Sequence, residues 1–393
     1  MNKILIALLA LSVWFQMWAI PIGSFGISIS TIIVLAILLF NITTIRLNLV
    51  SLLVAFTLIG VMVMVSVINS SLPPLIWSLR ICRYTVIIGI SLICSWLFKQ
   101  EQYSEYFWNI LSKVTFIGLF YGLYQYFAPD YGLPYFLNIF NNNPSFSAKD
   151  IYDYYGGWVN FTRIYGVFSE PSFYGIYLSL FCICLIYSPE YKKLKWLFWA
   201  LILINLILTF SRSAYFTFGV ILMIYFFVEK LKMCSKKYII YFLSFFLICI
   251  PLEMPFAMEY LYSEDYFTDL SMTGRSSSQL YYFHEAVDNE KIVGYGVGSI
   301  RYYFREFDTV SEVEGFAHNA VAGLAYEVGL FSLLIYIALM IHLLQMNKKL
   351  KYNLILIAGI STSISFGEIY SIESIVILIT ALFHLRANNF PLQ

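Results

Sequence analysis

Long apolar runs separated by short polar segments make up most of the chain. About 20 apolar residues are needed to cross the hydrocarbon core of a bilayer, and somewhat shorter runs can still span it, so we predict about twelve spanning helices. They lie at Ile4–Ile20, Ile27–Ile42, Leu47–Ile68, Arg80–Phe98, Phe107–Phe127, Ser172–Tyr187, Trp196–Phe210, Ala214–Val228, Tyr238–Ile250, Asn319–Leu344, Leu354–Phe366 and Ile372–Leu385. The pattern predicts an all-α fold: a polytopic transmembrane helix bundle forming a single integral membrane domain over residues 1–393.

The first apolar run has a second interpretation. Met1–Ile20 begins with a short basic stretch, as a cleaved signal peptide does. We interpret it as the first spanning helix, because it has no clear small-x-small cleavage site and many apolar segments follow it.

Two polar segments are too long to be turns, at residues 128–171 and 252–318. Cytoplasmic loops keep an excess of Lys and Arg, and placing both termini in the cytoplasm satisfies this rule at every inner loop. Both long segments then become periplasmic loops, and we expect short helices in the larger one. The outer basic residues are Arg80, Arg83, Lys149, Arg163, Arg212, Arg275, Lys291, Arg301 and Arg305.

The composition agrees with a membrane protein. The chain is 60% hydrophobic and 12% charged, with a mean hydropathy of +0.76, whereas charged residues are usually about 25% of a soluble domain. Its basic residues are scattered and its net charge is only +1, which argues against nucleic acid as a partner. The six cysteines show no CxxC spacing, and we expect neither a metal site nor a cofactor.

The outer basic residues are mostly arginines, whereas the inner ones are mostly lysines. A planar guanidinium binds phosphate through two parallel hydrogen bonds, which a lysine cannot do. We therefore interpret Arg163, Arg212 and Arg275 as ligands of an anion, with Arg80, Arg83, Arg301 and Arg305 as secondary candidates. Alternatively, each arginine extends to the lipid headgroups or pairs with an outer carboxylate.

The segment from Arg163 to Ser172 leads directly into a predicted helix. Pro171 suits the first turn, where its missing N–H has no partner in any case. Arg163 and Glu170 then lie at the positive end of a helix, which favours an anion. Glu170 is a candidate catalytic base, or else it only complements the helix dipole.

His318-Asn319 opens another apolar run. A histidine titrates near neutrality, so His318 at the outer surface could remove a proton from a sugar hydroxyl. The alternative is a helix cap or a hydrogen-bonded interfacial histidine. Gly294, Gly296 and Gly298 do not match the dinucleotide fingerprint and indicate a tight or flexible backbone passage.

Taken in order, these separated motifs resemble the bacterial O-antigen polymerase and O-antigen ligase superfamily. The resemblance rests on Arg163 with Gly166, on Glu170-Pro171-Ser172, on Ser211-Arg212, on Gly274-Arg275 followed by the Gly-Tyr-Gly turn, and on His318-Asn319 with Gly329.

The resemblance implies a glycosyltransferase of the bacterial inner membrane that acts in lipopolysaccharide and polysaccharide biosynthesis at the periplasmic face. It implies an undecaprenyl-pyrophosphate-linked glycan as donor, Arg163, Arg212 and Arg275 as pyrophosphate ligands, and His318 as a catalytic residue. The partners are the lipid bilayer and the lipid-linked oligosaccharide, with a chain-length regulator protein as a further candidate.

The alternative activities, polymerase and ligase, differ in the acceptor of the glycan. A polymerase transfers to another lipid-linked repeat unit and is favoured by the Phe-Ser-Glu-Pro-Ser run, whereas a ligase transfers to the lipid A core. A flippase would be expected to show internal repeats and ionisable residues at the bilayer midplane.

Overall fold

The computed structural model describes residues 2–14, 19–22, 25–69, 72–133, 163–168, 171–187, 195–226, 281–306, 320–346 and 353–357, with a few single residues beyond these. The chain divides into two compact units. The first comprises Met1–Leu47, Gly89–Leu222 and Tyr370–Gln393, and the second comprises Asn48–Ile88 and Met223–Ile369.

The described part of the chain is predominantly helical, as predicted. Its helices are α1 (Asn2–Trp14), α2 (Ile29–Asn41), α3 (Leu49–Ile68), α4 (Pro74–Phe98), α5 (Glu101–Phe127), α6 (Pro171–Tyr187), α7 (Lys195–Leu208), α8 (Arg212–Tyr225), α9 (281–288), α10 (Ser299–Glu306), α11 (Ala320–Glu327) and α12 (Leu330–Met346). A short 3-10 helix at Ala128–Tyr131 follows α5.

Two helix starts follow from capping chemistry. The Ser28 hydroxyl accepts a hydrogen bond from the Thr31 N–H at the start of α2, and the Asn48 side chain accepts one from the Val50 N–H at the start of α3. Serine and asparagine are preferred at this position because they satisfy N–H groups that the first helical turn leaves without a partner.

The helix α1 belongs to the core of the first unit, where it packs against α2 and α5. Ile6, Leu9 and Val13 are fully buried. At the end of the helix, Trp14 lies against Gly118 of α5, where an added Cβ would come within 1.8 Å of the indole ring. A side chain at Gly118 would therefore force α1 and α5 apart.

A small hairpin departs from the all-helical prediction. Ala19–Ile22 (β1) pairs antiparallel with Phe25–Ser28 (β2), in the register Ile20 to Ile27. The predicted span Ile4–Ile20 was therefore too long, since its helix ends at Trp14.

The predicted span Asn319–Leu344 was also wrong as one continuous helix, since it is divided into α11 and α12. Gly329 lies between them with φ +106°, which favours glycine and cannot continue a right-handed helix. The N–H groups of Val328 and Gly329 both bond to the Leu324 carbonyl and close the end of α11. Gly329 therefore does not lie on a common helical face with Ala322 and Ala325 of α11.

Within the described residues, α3 and α4 are long and apolar enough to cross a membrane by length and composition. On α3, Leu53, Val54 and Phe56 are all more than half exposed, as is typical of a helix that faces lipid. Several shorter apolar helices accompany them, among them α2, α6, α7 and most of α12. The figure of about twelve spans stays a prediction, because Tyr238–Ile250 and most of the last two predicted spans lie outside the described residues.

Candidate functional site

In the first unit, residues 163–168 lie against the carboxyl end of α7. The Ile164 N–H donates to the Leu208 carbonyl at 3.1 Å. The Arg163 guanidinium donates from Nε to the Thr209 carbonyl at 3.0 Å and from Nη2 to the Phe210 carbonyl at 3.1 Å. The negative end of a helix favours a cation. Together with the two hydrogen bonds, this preference holds the half-buried guanidinium in one orientation.

Gln125 of α5 holds the same segment from the other side. Its Oε1 accepts hydrogen bonds from the N–H groups of Tyr165 and Gly166, at 3.1 and 2.8 Å, and its Nε2 donates to the Gly166 carbonyl at 3.0 Å. Gly166 has φ +58°, and an added Cβ there would lie 3.3 Å from the Tyr174 ring. We call residues 163–168 together with Gln125 the arginine corner.

The amide of Gln125 makes a testable contribution to stability. We expect Gln125→Leu to destabilise the first unit by about 3 kcal/mol, because buried N–H groups left without an acceptor each cost about 1–3 kcal/mol. The measurement is thermal unfolding of the purified protein in detergent. Gln102→Leu, at an exposed position near the start of the same helix, is the control and should melt like the wild type. Equal melting temperatures for both variants would contradict this role.

Two of the predicted arginine segments meet in this unit. The Ser211 hydroxyl donates to the Ser172 hydroxyl at 3.2 Å and accepts from the Ala214 N–H, so that Ser211 caps the start of α8. Arg212 is the first residue of α8, and its side chain lies outside the described residues. The contact brings the backbone of the Arg163–Ser172 segment next to the start of the helix that carries Arg212.

Buried polar groups fix the helices beneath this contact. The Tyr174 hydroxyl of α6 donates to Asn205 Oδ1 at 2.9 Å, and Asn205 Nδ2 donates to the carbonyls of Leu119 and Leu201. Gly175 lets α8 approach, since an added Cβ would come within 2.4 Å of the Ala214 Cβ. The helices α5, α6, α7 and α8 thus meet where the arginine corner begins.

In the second unit, the glycine-rich run forms a tight backbone passage. The N–H groups of Tyr295 and Gly296 donate to the carbonyls of Tyr326 and Glu327 at the end of α11. The Asn69 amide donates to the Gly294 carbonyl, and the Ser66 hydroxyl accepts from the Val297 N–H. Of the two interpretations, tight and flexible, the structure supports the tight one.

Gly329 is required by the same passage. An added Cβ would lie 2.3 Å from the Ile292 carbonyl oxygen, and the positive φ strains any other residue. We expect Gly329→Ala to destabilise the second unit by at least about 3 kcal/mol, the upper range for one residue in a disfavoured backbone region.

The control for this prediction is Gly60→Ala, because an added Cβ at Gly60 meets no atom within 4 Å. The measurement is the melting temperature in detergent, which should fall by several degrees for Gly329→Ala alone. A fall of equal size in both variants would contradict the assignment.

Next to the glycine-rich run lies a group of side chains that we call the tyrosine cluster: Tyr281, Tyr282, Glu285, Tyr295 and Tyr326. The Tyr295 ring stacks on Tyr326 at 4.5 Å between centroids, and Tyr326 meets Tyr282 edge to face at 5.2 Å. The Tyr295 hydroxyl donates to Glu285 Oε1 at 2.9 Å.

Burial, together with the hydrogen bond and negative charge of Glu285, raises the pKa of Tyr295 to about 12. Burial and Glu285 also raise the pKa of Tyr281. Both hydroxyls therefore stay protonated at neutral pH and can donate hydrogen bonds.

The structure places the other predicted residues as follows. On α4, Arg80 is half-buried and its Cγ lies 3.1 Å from where a Gly298 Cβ would stand. It therefore lies beside the start of α10, whose backbone includes Arg301 and Arg305. Arg83 is exposed. Glu170, Arg275, His318 and the side chains of Arg301 and Arg305 lie outside the described residues, and their roles stay predictions.

The sequence did not point to three residues that hold the arginine corner, the helices beneath it and the tyrosine cluster in place: Gln125, Asn205 and Glu285. Gln125 and Asn205 are isolated amides within apolar helices, where a polar side chain is costly unless it is hydrogen-bonded. That cost is the signal that could have identified both. Glu285 lies in a loop rich in carboxylates, and the sequence does not distinguish it from its neighbours.

Apolar helices of membrane-spanning length and composition, such as α3 and α4, are typical of an integral membrane protein. Residues 196–337 match the protein family described as O-antigen ligase. The match confirms the predicted resemblance to the O-antigen polymerase and ligase superfamily and supports a role in surface polysaccharide biosynthesis. It includes Arg212, Arg275 and His318, whereas Arg163 and Glu170 lie before it. No curated protein matches the chain.

Proposed function

We propose that the protein is an O-antigen polymerase. It transfers an undecaprenyl-pyrophosphate-linked glycan to a sugar hydroxyl of another lipid-linked repeat unit, at the periplasmic face of the bacterial inner membrane. The observation that carries the proposal is the arginine corner: a guanidinium held in one orientation beside the start of the helix that carries a second arginine.

The chemistry requires stabilisation of a leaving group. As the glycosidic bond to the pyrophosphate breaks, negative charge develops on the phosphate oxygens. Donors that are already oriented stabilise such charge without reorganising during the reaction. We propose Arg163, Arg212 and Arg275 as the ligands that donate to these oxygens.

The second requirement is a base. The attacking hydroxyl must lose a proton, and a histidine with a pKa near neutrality can accept it. We assign this role to His318, with Glu170 as the alternative carboxylate. The proton passes to the base, the acceptor oxygen bonds to the anomeric carbon, and undecaprenyl pyrophosphate leaves.

Ligase activity is the second candidate, favoured by the description of the matched family. A strain that lacks the gene separates the functions by the gel profile of its surface polysaccharide. Core carrying one repeat unit indicates loss of a polymerase, and bare core indicates loss of a ligase. Accumulation of lipid-linked units in the cytoplasm indicates loss of a flippase and would overturn the proposal.

A chain-length regulator remains a proposed partner. Co-purification of the tagged protein with such a regulator from the native membrane would test it. Failure to co-purify after mild crosslinking would count against the partnership without affecting the assigned chemistry.

A further inference from the structure

The outward side of the tyrosine cluster combines an aromatic ring, a carboxylate and an amide at regular spacing. Tyr281, Glu285 and Asn289 follow one another at intervals of four residues along α9 and the turn that ends it. Residues four apart lie on one face of a helix. The three side chains therefore form a row, and all of it falls within the large predicted periplasmic loop.

Each member of the row is held by neighbours. The Tyr281 ring meets Tyr282 edge to face at 5.8 Å and is 37% exposed. Glu285 Oε1 accepts from the Tyr295 hydroxyl, and the Asn289 amide donates to the Glu285 carbonyl at 2.9 Å and also bonds to the Tyr295 hydroxyl.

Two further contacts hold the Tyr295 ring in place. One contact is the stacked Tyr326 ring, and Lys291 Nζ lies 4.5 Å from the Tyr295 ring centroid. Tyr295 therefore serves to orient Glu285, and Tyr281 is the ring that offers surface to a ligand.

This combination has a defined ligand chemistry. The apolar face of a sugar ring packs on an aromatic ring. Neighbouring sugar hydroxyls donate to a carboxylate, which only accepts, and to the oxygen of an amide. Hydrogen bonds to an ionised carboxylate are stronger than neutral ones.

The charge around the row indicates which part of the substrates it binds. Residues 281–291 contain three carboxylates, on Glu285, Asp288 and Glu290, and one ammonium, on Lys291. This excess of negative charge disfavours a pyrophosphate, which instead requires the guanidinium groups. A hydroxyl-rich sugar carries no such penalty. The row is therefore suited to the acceptor glycan and not to the charged end of the donor.

We propose that Tyr281, Glu285 and Asn289 form a binding subsite for a hydroxyl-rich sugar ring of the acceptor, with Tyr295 as the residue that positions Glu285. The subsite deepens the proposed polymerase function and rests on it for the identity of the acceptor. Its role is to hold the acceptor chain, and it takes no part in bond breaking.

The test uses the purified full chain in lipid nanodiscs. The probe is the free oligosaccharide repeat unit released by mild acid from the strain's own polysaccharide, and binding is measured by calorimetry up to millimolar concentration. We expect Tyr281→Ala and Glu285→Gln each to weaken binding about tenfold, the equivalent of one strong contact. Tyr281→Phe, which keeps the ring, should bind within about twofold of the wild type.

Val287→Ala is the control, because Val287 is 40% exposed on the same helix and outside the row. It should bind like the wild type. Glu285→Gln keeps the shape of the side chain and an acceptor for Tyr295, so it remains informative if Tyr281→Ala fails to fold. The proposed subsite would be overturned if Glu285→Gln and folded Tyr281→Ala both bind the oligosaccharide with wild-type affinity. It would also be overturned if the wild type does not bind the oligosaccharide.

A transfer assay with lipid-linked repeat units separates the two proposals. If transfer occurs and Tyr281→Ala and Glu285→Gln leave the acceptor KM unchanged, the subsite is wrong while the polymerase function stands. The opposite outcome is also possible: the wild type binds the oligosaccharide, both variants fail to bind it, and no transfer occurs. In that case the subsite stands and the polymerase function is wrong.

Discussion

A strain whose only copy carries His318→Ala is expected to make no polymer, although the protein is still inserted in the membrane. General base catalysis contributes about 10²–10⁴ in rate, and a loss of this size would leave surface polysaccharide with single repeat units. The measurement is the gel profile of the polysaccharide, with the amount of protein in the membrane fraction measured in parallel.

A second variant separates the base from the alternative role of His318 as a hydrogen-bonded interfacial residue. Glutamine keeps a donor and an acceptor but does not take up a proton near neutral pH. His318→Gln should therefore be as inactive as His318→Ala, and normal polymer from it would refute the catalytic assignment. His342→Ala, at an exposed position on α12, is the matched control and should make polymer normally.

Arg163→Lys is expected to reduce the rate of transfer by at least about 100-fold, the scale seen when one oriented donor to a developing oxyanion is removed. A lysine keeps the charge, but its flexible ammonium cannot reproduce the planar fork that reaches the carbonyls of Thr209 and Phe210 and that we propose also binds the phosphate. The measurement is the initial rate with purified lipid-linked repeat units.

Arg46→Lys makes the same substitution at an exposed position on the predicted cytoplasmic side and should leave the rate unchanged. Wild-type activity of Arg163→Lys would show that any cation at the end of α7 is sufficient. Arg163 would then be a residue that only stabilises the helix end, and the anion site would have to be placed on other arginines.

The apolar pattern was sufficient to predict most described helices because their length and hydropathy are local properties. The bounds of α3 and α6 fall within two residues of the predicted spans. The break at Gly329 could not be read from hydropathy, since both flanking runs are apolar. Only a glycine fits there, because an added Cβ would lie 2.3 Å from the Ile292 carbonyl oxygen, which is 37 residues away in the chain.

For the arginine corner, the sequence indicated the segments but not their proposed roles, which stay predictions. Motif order identified Arg163 and Ser211-Arg212, and the structure brings their segments together. Gln125 was not predictable as the residue that holds the arginine corner, because its partners are backbone N–H groups about 40 positions later. The sequence therefore indicates which side chains can carry chemistry, but it does not indicate that the Gln125 amide orients the backbone of residues 163–168.

The backbone pairing beside the tyrosine cluster has a mechanical consequence. Two hydrogen bonds join Tyr295 and Gly296 to the end of α11, and two more join Leu330 and Phe331, at the start of α12, to the carbonyls of Lys291 and Ile292. A shift of residues 291–296 must either break these bonds or displace both helices together. A ligand that shifts residues 291–296 is therefore expected to move the end of α11 and the start of α12 as well, because the same stretch of backbone is bonded to both.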